Sequence, residues 1–456
     1  TLAAVTDVVL TYDYGSNTNI AQLQEIVNNT MVFPFGQKAV AANSFNNTSF
    51  IYRNRANSSF QANGSLSIAL AAAAGTGTET FTYSSGTLGI EKATFTVIPI
   101  QNGYSANNTG TVSINTTSSN VVGSGTTFTT NYNAGDVVVI NGNVKKITNI
   151  YTDTLMAVNG AFANTTGSAN HQEFYPAGLP VPFVNRSRRS IVINSSNSAT
   201  LNLGSSTNGA FTTSIYFDVR RSSTVPIKKT INRSTLVKIN TATNAGGTTG
   251  PWCLGLTDVL KINHVWVNTG TYSNTVTDSA TSFTLDNGQR DTHYDLAYLK
   301  TNLTSLPAGS LILVSVDHFT HDQTQGAGFF TANSYPVDDV NTSNTAAITT
   351  AQIPLFISPV KGTTFDLRDS VDFRPFGSNT ATITTSMASA TVNPANTLVF
   401  SGATDSSVPG SLGSYLPTPN ETFQTDLAHY LPRRDRVALT PAGQLLVTEE
   451  IGRAHV

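Results

Sequence analysis

Cysteine is nearly absent from this chain of 456 residues, in which Cys253 stands alone. An intramolecular disulfide therefore cannot form, and we expect Cys253 to be a small buried apolar residue. Charged residues are also scarce, at 11% of the chain, and 25 Lys and Arg nearly balance 27 Asp and Glu. So balanced a composition creates no strong electrostatic field, and we expect no nucleic-acid partner.

Long apolar runs and the signatures of hydrolytic chemistry are missing too. The longest candidate membrane segment, Leu66 to Ala74, is alanine-rich and shorter than a membrane-spanning helix requires. The histidines are scattered, and no Gly-x-Ser-x-Gly segment is present. We therefore expect no membrane insertion, no cofactor and no enzymatic activity.

Threonine, serine and asparagine fill the stretches between the apolar residues, and they favour strands, turns and loops over helix interiors. Apolar residues alternate with period two at Ala93 to Ile98, Asp136 to Ile140 and Leu311 to Val316, as they do in half-buried strands. The length exceeds what one hydrophobic core usually covers. The sequence thus predicts a mainly β fold of several tandem small β-sandwich or barrel domains with little helix.

Changes of composition divide the chain into five consecutive segments. In chain order they are a β-rich N-terminal region with one short helix (1–105), a small β-barrel module (106–175), a structural domain of β-sandwich type (176–375), a Thr-, Ser- and Asn-rich insertion with the start of a further β segment (376–449), and a sequencing-adaptor artefact (450–456). The short helix is predicted from the spacing of Ile20, Leu23 and Val27. The chain begins without Met and ends on EIGRAHV, which reads like a translated adaptor, so we expect a fragment of a longer protein.

The segment from Gly110 to His171 is predicted to be a compact barrel of short strands. Within it, Asn141-Gly142 separates DVVVI from NVKKITNI, which predicts a two-residue hairpin with both central residues at positive φ. The nearby GSGTTF, Gly123 to Phe128, is similar to a phosphate-binding loop but lacks the Lys and the following helix that such a loop requires. We therefore expect no nucleotide binding.

Two further segments are marked by their composition. Prolines precede a basic cluster of Arg186, Arg188 and Arg189, which we expect to be solvated at a domain boundary. From Ser378 to Asn396 nearly all residues are Thr, Ser, Ala or Asn. Because it has little to bury, this segment is predicted to be a loop, an insertion or an exposed hairpin.

Four segments in the latter half of the chain carry a family resemblance. They read GPWCLGLTDVLKINHVWV, LDNGQRDTHYDLAYL, DHFTHDQTQGAGFFTANSYPVDD and DLRDSVDFRPF, and HYLPRRDRVALTPAGQLLV follows later. In this order they resemble a domain of unknown function in very large virion structural proteins of contractile-tailed phages, especially those infecting marine cyanobacteria. The resemblance implies a place in the tail, baseplate or fibres and supplies no catalytic residue.

The resemblance also sets the expected partners and location. We expect a virion protein, made in the host cytoplasm, that assembles as a homo-oligomer and with other tail or baseplate proteins. The alternatives are a receptor-binding adhesin that recognises host surface glycans and a polysaccharide-degrading tail enzyme. Trp252 and Trp266 fit a carbohydrate-stacking platform or ordinary core packing.

Asp317, His318, His321 and Asp322 place two imidazoles and two carboxylates within six residues. Such groups could bind zinc or another divalent metal. The preceding LILVSV is typical of a buried strand, which would place the histidines where that strand ends and let them bond to loop backbone. Because the spacing fixes no third ligand, we assign no metal.

Asp366, Asp369 and Asp372 alternate with Arg368 and Arg374. Two of the carboxylates could serve as a glycosidase acid and nucleophile, but sequence spacing cannot show the separation that this chemistry needs. The arginines favour a structural interpretation, in which two-point Arg-carboxylate pairs stabilise an irregular segment.

A second charged group surrounds a turn at Asn287-Gly288. Asp286, Arg290 and Asp291 flank this turn, and Tyr294 and Tyr298 lie close enough in sequence to pack over it. We expect these residues, together with Gly288, to form a structural motif.

Overall fold

The computed structural model describes residues 6–11, 30–35, 46–70, 77–321, 328–400, 418, 421–428, 434–441, 443 and 445–450. The fold is mainly β, as predicted, with 49% of the described residues in strands and 6% in helix. The predicted helix at residues 20–27 and residues 451–456 of the predicted artefact lie outside the described residues.

Two compact units make up the chain, and each is discontinuous in sequence, unlike the consecutive segments predicted above. The large unit comprises Thr1–Phe50, Ala73–Gly77 and Ser222–Val456, and the small unit comprises Ile51–Ala72 and Thr78–Arg221. Two of the four points at which the sequence changes unit fall within long strands, Asn46–Phe60 and Phe211–Thr224.

An eight-stranded antiparallel sheet dominates the small unit and is built from strands between Gly103 and Tyr175. Its strands are, in spatial order, Thr166–Ala169, Thr111–Ile114, Asn120–Ser124, Leu155–Val158, Asn143–Thr152, Val137–Ile140, His171–Tyr175 and Gly103–Tyr104. Alternate residues such as Val138 and Ile140 are buried, because successive side chains of a strand point to opposite faces. They pack with Phe128 in a core of their own.

The predicted hairpin in this sheet is confirmed. Ile140 pairs directly with Asn143, and Asn141 and Gly142 have φ of 46° and 74°. The sequence showed no helix after GSGTTF, whereas a single helical turn of four residues, Phe128–Asn131, begins at the last residue of that segment. That turn buries Phe128 in the core.

The rest of the small unit is also β. A four-stranded sheet consists, in order, of Ser65–Ala69, Ser198–Asn202, Ser190–Ser195 and Gly86–Thr87. Thr78–Phe81 and Thr96–Pro99 pair with Phe211–Thr224, and a 3-10 turn spans Ile90–Thr94.

Two three-stranded antiparallel sheets form the centre of the large unit. One consists, in order, of Lys229–Asn240, Ser310–His321 and Val259–Thr269, and the other of Trp252–Thr257, Leu296–Thr301 and Phe283–Asp286. Val314 and Val237 of the first pack in one buried core with Leu254 and Leu299 of the second.

Smaller elements complete the large unit. Its paired strands are Val32–Pro34 with Ser370–Asp372, Leu355–Ile357 with Thr364–Asp366, Arg434–Leu439 with Leu445–Glu450, and Thr6–Thr11 with Thr422–Leu427, which also pairs with Asn46–Phe60. Its 3-10 turns are Ala280–Ser282, Ala332–Ser334, Thr350–Gln352 and Leu367–Asp369.

The Thr-, Ser- and Asn-rich segment Ser378 to Asn396 lies along the free edge of the strand Lys229–Asn240. Residues 378–396 contain no strand, as predicted for a loop, yet their backbone bonds to that edge. The amides of Leu236 and Lys238 donate to Thr384 and Thr391. The small side chains of Ala381 and Ala390 are buried against the large unit. The segment thus supplies the backbone hydrogen-bond partners that an edge strand otherwise lacks.

Candidate functional site

Lys229 begins the long strand Lys229–Asn240 and points into the large unit. Ile227, Lys229 and Ile231 are buried, whereas Thr230 is exposed. A strand alternates its side chains between two faces. Lys229 therefore lies at a position where this alternation places a buried, normally apolar, side chain. Its ammonium group has no exposure to solvent.

Asp258 is the partner of Lys229. It is the single residue between the strands Trp252–Thr257 and Val259–Thr269, and it adopts a φ of 47°. Its Oδ2 lies 2.8 Å from Lys229 Nζ, and its Oδ1 accepts a 3.3 Å hydrogen bond from Gln289 Nε2. Both oxygens of the buried carboxylate are therefore held by side chains.

A second ion pair lies beside the first. Arg374 donates from Nε to Asp372 Oδ1 at 2.9 Å and from Nη2 to Oδ2 at 2.7 Å. The same Nη2 contacts the Tyr294 hydroxyl at 3.0 Å and Gln289 Oε1 at 3.3 Å. The Tyr294 hydroxyl in turn donates a short hydrogen bond to Asp372. Gln289 and Tyr294 thus connect the two pairs.

These six side chains, which we call the buried network, are Lys229, Asp258, Gln289, Tyr294, Asp372 and Arg374. None of them is more than 4% exposed. Two cations face two carboxylates, so the formal charges balance. Burying an unpaired charge is costly, and this balance allows the network to lie in the interior.

Aromatic rings surround the Lys229 ammonium. Five centroids lie within 4.6–5.7 Å of Nζ, those of Tyr294, Phe319, Phe330, Tyr335 and Phe376. Ring faces attract cations at such distances. The Tyr335 hydroxyl is also 3.2 Å from Nζ.

Burial and charge act against each other in the network. Burial lowers the pKa of Lys229, although Asp258 and Asp372 favour its charged form. Burial also disfavours the charge of Arg374, but the adjacent Asp372 holds its pKa above the usual value. The pKa values of Tyr294 and Tyr335 are raised well above the ordinary value, chiefly by burial. An amine, carboxylates and phenols that touch one another can exchange protons internally, out of reach of solvent.

No family model, curated protein or solved structure matches the chain. The function must therefore be argued from the residues and their geometry. Across the described ranges, no helix is long and apolar enough to span a membrane.

The structure changes the interpretation of the candidate metal ligands. The strand does not end before the histidines but continues through His321, because its last residues still pair with the strand that begins at Lys229. Asp317 accepts bonds from Arg233, Asn263 and the amide of Ser234. These bonds lower the pKa of Asp317 although burial acts to raise it. Its oxygens are thus already used by protein donors.

The histidines are not gathered into a metal centre. His318 is fully buried and lies inside the strand Ser310–His321, which corrects the expectation that it lies where this strand ends. His321 packs against Phe376, with centroids 4.0 Å apart. Asp322 lies outside the described residues. Within the portion of the chain that is described, no three His, Cys, Asp or Glu side chains are placed to hold a metal ion.

The three candidate glycosidase carboxylates have different surroundings. Asp366 caps the turn Leu367–Asp369 and pairs with Arg368 at 3.1 Å, and Asp369 lies 3.7 Å from the same guanidinium. Asp372 instead belongs to the buried network. Because Asp369 and Asp372 are almost fully buried, neither is presented to a polysaccharide chain.

The charged residues around Asn287-Gly288 are only partly brought together. Asp286 Oδ1 pairs with Arg290 at 2.8 Å, and Asp286 Oδ2 lies 3.1 Å from Lys300 Nζ. Gly288 has a φ of 79°, and an added Cβ would lie 2.2 Å from the Asp295 carbonyl oxygen. Asp291 contributes its backbone carbonyl, which accepts from Met31.

The basic cluster in the small unit is paired with acidic side chains and its Arg189 is buried, which corrects the expectation of a solvated cluster. Arg189 is 1% exposed and bonds to Glu173. Arg186 and Arg188 pair with Asp136 at 3.1 and 3.3 Å. Arginines pair well with carboxylates because the planar guanidinium matches their geometry.

The aromatic and thiol candidates are mainly core residues. Trp252 is fully buried in the core of the large unit, whereas Trp266 is partly exposed and stacks on His264 at 4.9 Å. Cys253 is buried, as predicted.

Sequence reasoning missed Lys229, Asp258 and Gln289. One local signal was present: Lys229 takes the place of an apolar residue between Ile227 and Ile231, so the alternation itself indicated a buried lysine. No comparable local pattern marks Asp258 or Gln289.

Proposed function

We propose that this protein is a structural, non-enzymatic component of a contractile-tailed phage particle, located in the tail, baseplate or fibres. It is made in the host cytoplasm and assembles with copies of itself and with other tail proteins. The location rests on the resemblance of the sequence segments quoted above. The structural role rests on the buried network, in which the charged groups that could perform chemistry bind one another.

Catalytic acids, bases and nucleophiles must reach a substrate. In the large unit the amine of Lys229 and the carboxylates of Asp258 and Asp372 are paired inside the protein. Such an arrangement supports a role in holding strands and loops together, and ion-pair networks of this kind are a common alternative to active sites.

A small hairpin in the large unit supports assembly with a neighbour. In the strand Leu355–Ile357, Phe356 is buried, and its ring lies 4.1 Å from the Arg374 guanidinium carbon. Leu355 and Ile357 point the other way and are 56% and 63% exposed, and the nearby Val360 is 60% exposed. Clustered exposed apolar side chains are typical of protein contact sites.

Light scattering of the recombinant chain and mass spectrometry of purified virions test the proposal. We expect self-association in solution and peptides of this protein in tail fractions. A strictly monomeric chain that binds no tail protein would contradict it. Release of oligosaccharides from host polysaccharide would favour the enzyme instead, and binding on a glycan array would favour the adhesin.

A further inference from the structure

The buried cations of the described residues differ in their chemistry. In the described residues the buried positively charged side chains are Arg189, Arg221, Lys229 and Arg374. Three are arginines, which keep their proton and are poor nucleophiles. Lys229 is a primary amine, and it contacts the Asp258 carboxylate at 2.8 Å.

We propose that Lys229 and Asp258 are joined by an intramolecular amide bond between Nζ and Cγ, formed after the chain folds. This modification is independent of the proposed virion role, because it follows only from the contacts inside the large unit. The bond would cross-link the start of the strand Lys229–Asn240 to Asp258. Asp258 is the residue that joins the strands Trp252–Thr257 and Val259–Thr269.

Burial supplies the driving force. A buried ion pair loses the hydration of both charges and recovers it only in part. Transfer of one proton from the Lys229 ammonium to Asp258 gives a neutral amine and a neutral acid, which a surrounding of five aromatic rings favours. The amide product removes both charges permanently and leaves Asp372 paired with Arg374.

The fixed positions of Lys229 and Asp258 favour fast formation of the amide bond. Both reacting groups are fixed by backbone, since Lys229 begins a strand and Asp258 lies between two strands. Groups held in contact react as if at very high concentration. The tight turn at Asp258, with a φ of 47°, holds the carboxyl group at the start of Lys229–Asn240.

The atoms balance without a further reagent. The lone pair of the neutral amine attacks Cγ of the protonated Asp258, and a C–N bond forms. The proton on nitrogen moves to a carboxyl oxygen, the C–O bond breaks, and one water leaves. No atom changes its oxidation level in a way that needs an oxidant or reductant.

Neighbouring side chains are placed to assist these steps. Gln289 Nε2 donates to Asp258 Oδ1 at 3.3 Å, where negative charge develops when the amine adds, and such a donor stabilises an oxyanion. The Tyr294 hydroxyl lies 3.4 Å from Nζ and bonds to Asp372. It can hold the proton that nitrogen loses until that proton passes to the departing Asp258 oxygen and leaves with it as water.

Intact-mass spectrometry of the denatured full-length chain tests the proposal directly. We expect a mass below the sequence mass by one water, and a tryptic digest should contain a branched peptide that joins Lys229 to Asp258. A folded wild-type protein with its full sequence mass would overturn the proposal. So would a loss of water that maps to any other position, such as a cyclised aspartate.

Variants identify the reacting groups. Lys229→Met and Asp258→Ala should both restore the full sequence mass. Lys228→Met is the matched control, because the neighbouring amine bonds to Asn333 instead, and this variant should keep the loss of water. Gln289→Leu should slow the reaction, so that freshly purified protein is a mixture of both masses. Persistence of the loss in Lys229→Met would contradict the assignment.

Discussion

Asp372 and Arg374 lie two positions apart on the chain and form a two-point ion pair inside the large unit, with contacts of 2.9 and 2.7 Å. Such a pair contributes little net stability over apolar packing, because both groups lose their hydration. Removal of only one of the two side chains is destabilising, because the remaining charge is then buried without a partner. The pair therefore fixes the geometry of the irregular segment around it.

The first prediction concerns this pair. Arg374→Met should lower the free energy of unfolding of the large unit by about 3–5 kcal/mol, because the Asp372 carboxylate loses its partner in the interior. Urea unfolding followed by tryptophan fluorescence measures the effect, since Trp252 and Trp266 both belong to this unit.

Lys300→Met is the control from the same unit. Lys300 is 52% exposed, and its partner Asp286 keeps Arg290 as a second partner, so the loss should be at most about 1 kcal/mol. Equal losses in the two variants would contradict the distinction between buried and accessible pairs.

The second prediction concerns the docked segment Ser378 to Asn396. Gly255 has a φ of 64°, and a Cβ there would lie 2.3 Å from Pro394 Cβ and 2.6 Å from Thr380 Oγ1. Gly255→Ala should therefore displace this segment. We expect a loss of about 1–2 kcal/mol from backbone strain and a further 1–3 kcal/mol or so from overpacking.

Gly247→Ala separates these two costs. Gly247 has a φ of 51°, but nothing lies within 4 Å of an added Cβ, so only the strain should remain. Limited proteolysis should cleave Ser378 to Asn396 faster in the Gly255 variant alone. Similar unfolding curves and cleavage rates for both variants would show that the segment does not depend on Gly255.

Short sequence patterns predicted the parts of the fold that depend only on residues close together in the chain. Asn141 and Gly142 form the predicted turn because few residue types adopt positive φ at both central positions. The strand predicted from Leu311 to Val316 is present but extends to His321. Its extension depends on pairing with residues that lie about 90 positions earlier in the chain, and the alternation within 311–316 carries no information about that partner.

The candidate site was predicted only in part, for the same reason. The interleaved Asp372 and Arg374 indicated a pair, and the pair is present. Lys229, Asp258 and Gln289 reach it from separate segments of the chain. The basic cluster around Arg189 was interpreted as solvated, because its acidic partners Asp136 and Glu173 lie elsewhere in the sequence. Charge alone does not distinguish a solvated cation from one with a distant partner.

The third prediction concerns pH. Burial lowers the pKa of His318 from 6.5 to about 4, although Asp258 and Asp317 favour its charged form. Well above pH 6.5 the ring is neutral in both states, so His318 contributes no pH dependence there. As the pH falls from 6.5 towards 4, the unfolded chain binds a proton that the folded chain does not, so stability falls by roughly 3 kcal/mol in total.

His318→Leu cannot titrate and should lack this part of the pH dependence. The difference in unfolding free energy between wild type and variant should be constant above pH 7.5 and should shift in favour of the variant between pH 6.5 and 4. Parallel stability profiles over the whole range would show that His318 is protonated as easily in the folded protein as in the unfolded chain.

The fourth prediction concerns assembly through the hairpin that carries Leu355 and Ile357. Burying an apolar side chain fully contributes about 1.5–3 kcal/mol, and these two are more than half exposed in the isolated chain. Replacing both by lysine should therefore weaken self-association at least about tenfold, since a tenfold change corresponds to 1.4 kcal/mol. Sedimentation over a concentration series measures the shift.

Val144→Lys is the control, because Val144 is a similarly accessible apolar residue, 51% exposed, on a strand of the small unit. If the control weakens association and the double variant does not, the contact surface lies on the small unit instead.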